Sequence, residues 1–185
     1  TGAKSLAGAD GELVTEGLDG LRERLVEYKE IGVKFAKWRG VISIGENIPS
    51  SYCIEVNAHA LARYAAICQE VGLVPIVEPE VLMDTGHSIE KAEEITEMTL
   101  RVVFNQLAAQ KVAPEGMLLK PNMVVSGYAA SHRAGADEVA ERTVRVFQHT
   151  IPASMPGIVF LSGGQNDEDA IVNLQAIAER GKAVN

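Results

Sequence analysis

Four residues in this 185-residue chain have types and a spacing that could support nucleophilic and acid–base chemistry. Lys37, Glu78, Lys120 and Ser162 each follow a short apolar run, at intervals of 41, 42 and 42 residues. An uncharged lysine amine attacks ketones, and a nearby carboxylate can carry the proton that moves when water leaves the addition product. The pattern therefore predicts a Schiff base at Lys120, with Glu78 as its proton carrier.

The local sequence makes Lys120 the strongest candidate for the nucleophile. Three apolar residues precede it and a proline follows it, so we expect its amine to be poorly hydrated. Desolvation and the positive charges of Lys37 and Arg39 favour the uncharged amine, whereas Glu78 favours the ammonium as an ion-pair partner. Glu78 also supplies the proton transfer that expels water from the carbinolamine.

Further polar side chains are expected beside these residues. If the strands are adjacent in chain order, Glu78 lies between Lys37 and Lys120, and the charges alternate along the sheet. Such pairing makes it tolerable to bury the Glu78 carboxylate. Side chains two residues apart share a face of a strand. Three pairs are therefore expected to point towards the same mouth: Lys37 with Arg39, Glu78 with Glu80, and Lys120 with Asn122.

The tripeptide Ser162-Gly163-Gly164 is typical of a phosphate-binding loop. Glycines let backbone N–H groups approach an anion, and a helix is predicted to begin soon afterwards, near Asn166 or Asp167. A phosphate group is therefore expected at this loop.

Short β-strands followed by helices must position these residues. Four apolar runs are predicted as strands, and five segments show the three- and four-residue spacing of helices. The runs cover residues 33–38, 73–77, 117–119 and 158–161, and the helices cover 16–31, 50–71, 88–110, 137–149 and 167–180.

This alternation predicts an α/β fold with a parallel sheet covered on both faces. Its regular period favours a (β/α)8 TIM barrel over a doubly wound sheet, which is the main alternative. A complete barrel usually takes about 250 residues, so residues 1–185 are expected to form one partial barrel domain with about four βα units. The ends, Thr1 and Val184-Asn185, are expected to be cuts rather than natural termini.

Composition excludes several classes of function. The formal net charge of −8 argues against nucleic acid or an anionic membrane as a partner. No apolar run reaches the roughly 18 residues of a membrane helix, and no signal peptide is expected. The histidines, His59, His87, His132 and His149, lack the spacing of metal ligands.

The two cysteines are predicted to be free, buried thiols of a reducing compartment. Cys53 and Cys68 lie in one predicted helix, where a rise of about 1.5 Å per residue separates them by roughly 22 Å. A disulfide needs Cα atoms within about 7 Å of each other.

Five ordered strings together resemble the motifs of class I fructose-bisphosphate aldolase over about residues 6–177. No single string would be adequate. They are Leu18-Asp19-Gly20-Leu21, Phe35-Ala36-Lys37-Trp38-Arg39, Ile76-Val77-Glu78-Pro79-Glu80, Leu118-Leu119-Lys120-Pro121-Asn122-Met123-Val124 and Phe160-Leu161-Ser162-Gly163-Gly164-Gln165.

The resemblance implies a fold, a reaction and four catalytic residues. The strands would be the fourth to seventh of a (β/α)8 barrel, and fructose 1,6-bisphosphate would be cleaved reversibly to dihydroxyacetone phosphate and glyceraldehyde 3-phosphate. Lys120 matches the imine-forming lysine and Glu78 its acid–base partner. Lys37 matches a lysine that stabilises developing charge, and Glu80 a carboxylate that positions its neighbours.

The resemblance also implies how substrate is bound and where the protein acts. Arg39 matches a residue at the distal phosphate, and Ser162 and Gly163 match the site of the other phosphate. The protonated imine is the electron sink, so no metal or other cofactor is expected. A glycolytic or gluconeogenic homotetramer in the cytoplasm is implied, with the plastid as an alternative.

The resemblance is incomplete in ways that leave alternatives open. The family's first-strand Asp would precede Thr1, and its eighth-strand Arg and C-terminal tail would follow Asn185. The 185-residue chain alone is therefore expected to be inactive or nearly so. The alternatives are a Schiff-base aldolase of another substrate, such as a transaldolase-like enzyme, and a non-catalytic fragment or binding scaffold derived from an aldolase.

Overall fold

The computed structural model describes residues 2–183, a mixed α/β unit of five strands and five α-helices. The cut ends expected at Thr1 and Val184-Asn185 lie outside the described residues. In chain order the elements are β1 (Gly2–Ser5), β2 (Leu13–Glu16), α1 (Leu21–Glu30), β3 (Phe35–Ile42), α2 (Ser51–Val71), β4 (Val74–Val81), α3 (Ile89–Ala109), β5 (Leu118–Leu119), α4 (Ala136–Thr150) and α5 (Asp167–Ala183), with a 3₁₀ turn at Pro114–Gly116.

The central sheet is parallel and its strands are adjacent in chain order, as the sequence predicts. Its order is β3-β4-β5, with Arg39 opposite Glu78 and Val77 opposite Leu119. The fourth predicted strand, 158–161, is reduced to a parallel bridge between Ile158 and Leu119. Bonds from Val159 N to Leu119 O (2.9 Å) and from Leu161 N to Pro121 O (3.4 Å) continue this pairing.

Helix α2 packs against one face of the sheet. Trp38 and Val77 are buried in the same cluster as Leu61 of α2, and a Cβ at Gly40 would lie 3.4 Å from the Leu61 side chain. Because strand side chains alternate, Lys37, Arg39, Glu78 and Glu80 point to the opposite face. The second face therefore carries the polar side chains, as the inside of the expected barrel does.

Three boundaries differ clearly from the sequence-based prediction. Residues 13–16 form β2, which pairs antiparallel with β1, so α1 begins at Leu21 rather than at residue 16. Gly17 and Gly20 have φ values of 135° and 62°, which turn the chain between strand and helix. Strands β3 and β4 also continue for several residues beyond Lys37 and Glu78, so these two residues lie within their strands rather than at the ends.

The long helix α2 contains both cysteines as free, buried thiols, as predicted. Burial raises the pKa of Cys53 to about 11 and that of Cys68 to about 11. Both thiols therefore stay protonated near neutral pH and act as small apolar core side chains.

The loops after β4 and β5 approach each other closely at Gly127, which makes a stability test. A Cβ at this position would lie 1.9 Å from Thr85 O and 3.1 Å from His87 N, both backbone atoms. We therefore expect Gly127→Ala to lower the free energy of unfolding by about 3 kcal/mol, the upper end for overpacking. Thermal unfolding followed by circular dichroism measures this.

Gly181→Ala is the matched control for that substitution. Gly181 lies in α5, and nothing would lie within 4 Å of its Cβ. Alanine there should leave the unfolding midpoint unchanged or raise it, since alanine favours helix. An equal midpoint for Gly127→Ala and the unsubstituted chain would contradict the close approach of the two loops.

Candidate active site

The candidate active site lies on the face of the sheet opposite α2. Lys37 and Arg39 come from β3, Glu78 and Glu80 from β4, and Lys120 follows β5 directly. The pairing register sets their relative heights, because Arg39 lies opposite Glu78 and Lys120 N donates to Val77 O at 2.8 Å. Backbone pairing thus brings side chains from three chain segments into one row.

Glu78 lies between two lysines, as the sequence predicts. Its Oε2 is 2.7 Å from Lys37 Nζ and its Oε1 is 3.2 Å from Lys120 Nζ. The carboxylate side chain is only 4% exposed. Two partly exposed cations therefore flank one buried anion, which offsets the cost of removing that anion from water.

Lys120 lies in the connection that follows β5, because that strand ends at Leu119. Its side chain is 30% exposed. Glu78 Oε1 lies 3.2 Å from the amine, a distance at which the two groups can exchange a proton.

Arg39 and Glu80 form a second pair, one step further along the strands. The guanidinium donates from Nε to the Glu80 carboxylate, whose side chain is 7% exposed, whereas 47% of the Arg39 side chain is exposed. This hydrogen bond raises the pKa of Arg39 above its ordinary value, against the opposing effect of burial. Glu80 therefore holds a permanent cation that is accessible to an anionic ligand.

The loop Ser162-Gly163-Gly164 forms a tight turn, closed by a hydrogen bond from Gln165 N to Ser162 O at 3.2 Å. Gly163 and Gly164 have φ values of 65° and 89°, which glycine adopts without strain. Ser162 is exposed, and helix α5 begins at Asp167, as predicted. The first turn of α5 contains three acidic residues, which oppose the support that the helix dipole would give to an anion.

Asn122 does not share the orientation of Lys120. It is 5% exposed, accepts a hydrogen bond from Val81 N at 2.9 Å and donates to Thr96 Oγ1 at 3.2 Å. Alternation between positions i and i+2 applies only within a strand, and β5 has ended by Leu119. Asn122 therefore fixes the end of β4 to α3.

Two residues near the loop were not singled out from the sequence. Gln165 is 7% exposed, and its Nε2 donates to Ser162 O at 2.8 Å. This buried side chain therefore stabilises the loop. Tyr128 lies against Gly164. The position of Gln165 beside two glycines could have indicated its role, whereas nothing in the sequence links Tyr128 to a loop 36 residues later.

The described part of the chain contains neither a metal-binding cluster nor a membrane-spanning helix. No group of three or more His, Cys, Asp or Glu side chains among residues 2–183 could hold a metal ion. Over the same residues, no helix is both long and apolar enough to cross a membrane.

Comparison with known proteins gives one consistent family. A family model described as glycolytic fructose-bisphosphate aldolase class-I matches residues 1–183. A probable fructose-bisphosphate aldolase class 1 of Xanthomonas campestris is 59% identical over 180 residues, which are 97% of this chain and 54% of that protein. The cytosolic fructose-bisphosphate aldolase 4 of Arabidopsis thaliana is 52% identical over 95% of this chain and 45% of its own length.

A solved structure with the same fold is also known. Fructose-bisphosphate aldolase from Plasmodium falciparum, in a ternary co-crystal with TRAP and a small-molecule inhibitor, matches with a TM-score of 0.94 and 47% identity. The match covers 96% of this chain and 52% of that one. The chain thus spans about half the length of the relatives it matches, and its α/β arrangement is that of part of an aldolase barrel.

Proposed function

Since the chain belongs to the class-I fructose-bisphosphate aldolase family, we propose that the complete protein cleaves fructose 1,6-bisphosphate reversibly through an imine at Lys120. The observation that carries this proposal is the buried Glu78 carboxylate, within 3.2 Å of two lysine amines. A nucleophilic amine with an acid–base group at contact distance is the arrangement that imine chemistry requires.

The imine-forming step assigns roles to three side chains. Glu78 accepts the ammonium proton of Lys120, and the uncharged amine attacks the substrate ketone. Glu78 then returns a proton to the carbinolamine hydroxyl, which leaves as water, and the protonated imine remains. Lys37, paired with the other oxygen of Glu78, stabilises the negative charge that develops on substrate oxygens.

Carbon–carbon cleavage follows from the positive charge of the imine. The substrate C4 hydroxyl passes its proton to a base, for which the family resemblance implies the Asp that would precede Thr1, and the C3–C4 bond breaks. Its electrons pass to the iminium nitrogen, which leaves an enamine and releases glyceraldehyde 3-phosphate. A proton from an acid group or water is added to the enamine at C3, and attack of water on the resulting imine releases dihydroxyacetone phosphate and regenerates the Lys120 amine.

The two phosphates are assigned to opposite ends of the row of polar residues. Arg39, held by Glu80, binds the distal phosphate. Ser162, with the backbone N–H groups of Gly163 and Gly164, binds the other phosphate. A guanidinium and a glycine-rich turn are both well suited to a dianion, and this supports a bisphosphorylated substrate.

Substrate comparison tests this function. The complete protein should cleave fructose 1,6-bisphosphate with a kcat/KM at least about 10²-fold higher than unphosphorylated fructose, because each phosphate gains charge-assisted hydrogen bonds. Coupled assays of triose release measure both rates. Comparable turnover of the two sugars would favour a Schiff-base aldolase of another substrate, and failure to cleave either would favour a non-catalytic scaffold.

Localisation and assembly are proposed on family grounds. A cytoplasmic homotetramer is supported by the family resemblance and by the name of the Arabidopsis relative, a cytosolic isozyme. Neither property depends on the row of residues around Glu78.

A further inference from the structure

Tyr128 connects the loops that follow three neighbouring strands. Its backbone N donates to Met83 O at 2.8 Å, and the flanking bonds run from Gly127 N to His87 O (3.0 Å) and from Ala129 N to Thr85 O (3.2 Å). The segment 127–129 is thus fixed to the loop after β4. Three consecutive backbone bonds give Tyr128 a defined position although its side chain is exposed.

The side chain of Tyr128 lies over the glycine-rich turn. A Cβ at Gly164 would lie 2.5 Å from the Tyr128 Oη and 3.3 Å from Cζ and Cε2 of the ring. The φ of 89° at position 164 favours glycine, and a Cβ there would displace the Tyr128 side chain. The buried Gln165 also contacts this turn, through its bond to Ser162 O.

The Tyr128 hydroxyl is available to a ligand. The residue is 45% exposed, and within residues 2–183 its hydroxyl makes no hydrogen bond, its backbone N–H being the group that bonds to Met83. A phenol hydroxyl is a good hydrogen-bond donor to a phosphate oxygen.

We propose that Tyr128 is a phosphate-binding residue, whose ring holds the turn formed by Ser162, Gly163 and Gly164 and whose hydroxyl donates to the phosphate bound there. This inference rests on the proposed function, because the ligand is the substrate phosphate nearest the imine. Tyr128 would add a side-chain hydrogen-bond donor from the connection between β5 and α4 to a phosphate site that is otherwise built from one loop.

The test is imine trapping on the complete protein with two ketones that differ only in phosphate. Borohydride reduces the imine that Lys120 forms with either dihydroxyacetone phosphate or dihydroxyacetone. In Tyr128→Phe, half-maximal trapping should need about tenfold more dihydroxyacetone phosphate, the factor expected from losing one hydrogen bond to a charged group. The concentration of dihydroxyacetone required should not change.

Tyr52→Phe is the matched control. Tyr52 is similarly exposed, at 46%, and lies in the first turn of α2, which packs against the opposite face of the sheet, so neither ketone should be affected. An unchanged requirement for both ketones in Tyr128→Phe would overturn the proposal, and so would an equal rise for both, which would indicate general disturbance. Absence of any trapping in the unsubstituted protein would instead overturn the proposed function itself.

Discussion

Lys120→Arg should lower the rate at which the complete protein cleaves fructose 1,6-bisphosphate by on the order of 10⁶-fold, the loss seen when the nucleophile of a covalent enzyme is removed. Arginine keeps the positive charge and the ion pair with Glu78, which lies 3.2 Å from Lys120 Nζ. A guanidinium stays protonated and cannot attack a ketone. The substitution therefore removes the nucleophile while changing the electrostatics little.

Lys91→Arg is the control for this loss. Lys91 lies on the surface of α3, where it pairs with Glu94 at 2.9 Å, so arginine there should leave the cleavage rate unchanged. The assay is triose release under saturating substrate, with unfolding midpoints measured for both variants. Cleavage by Lys120→Arg within tenfold of the unsubstituted rate would exclude Lys120 as the imine-forming residue.

Glu78→Gln should slow imine formation by about 10² to 10⁴-fold, the usual contribution of a general acid–base group. Glutamine has nearly the same size but cannot accept the Lys120 proton or return it to the departing hydroxyl. The substitution also leaves Lys37 and Lys120 without their shared anion, although both keep partial contact with water, at 42% and 30% exposure. Their solvation limits the loss of stability.

A rapid-quench measurement separates chemistry from folding in this variant. Borohydride added at increasing times after dihydroxyacetone phosphate gives the rate and the final amount of imine. Glu78→Gln should reach a similar final amount far more slowly, whereas Glu70→Gln, which removes an exposed partner of Arg22, should match the unsubstituted protein. Unchanged rates in Glu78→Gln would show that another group carries the protons.

The order of strands and the position of Glu78 between two lysines were predictable from the sequence. Apolar runs that alternate with helical periodicity specify parallel neighbours, and the regular spacing places Lys37, Glu78 and Lys120 in one row. Five ordered motifs were also enough to predict the family, which is confirmed by a match over residues 1–183. The roles of the individual residues remain predictions.

Other features depend on contacts that periodicity does not record. The continuation of β3 to Ile42 and of β4 to Val81 was not predicted, because the polar residues within these strands resemble strand ends. Asn122 was expected to point with Lys120, yet the strand ends first and its amide bonds to Val81 N instead. Tyr128 reaches Gly164 only through tertiary packing of two loops.

Mass mapping of the trapped adduct identifies directly which lysine forms the imine. Lys37 and Lys120 lie within 3.2 Å of the same carboxylate, so either amine could in principle exchange protons with it. The complete protein is treated with dihydroxyacetone phosphate and borohydride, digested, and mapped by mass spectrometry. The added mass should appear on the peptide containing Lys120 alone, and an adduct on Lys37, or on neither lysine, would rule out imine formation at Lys120.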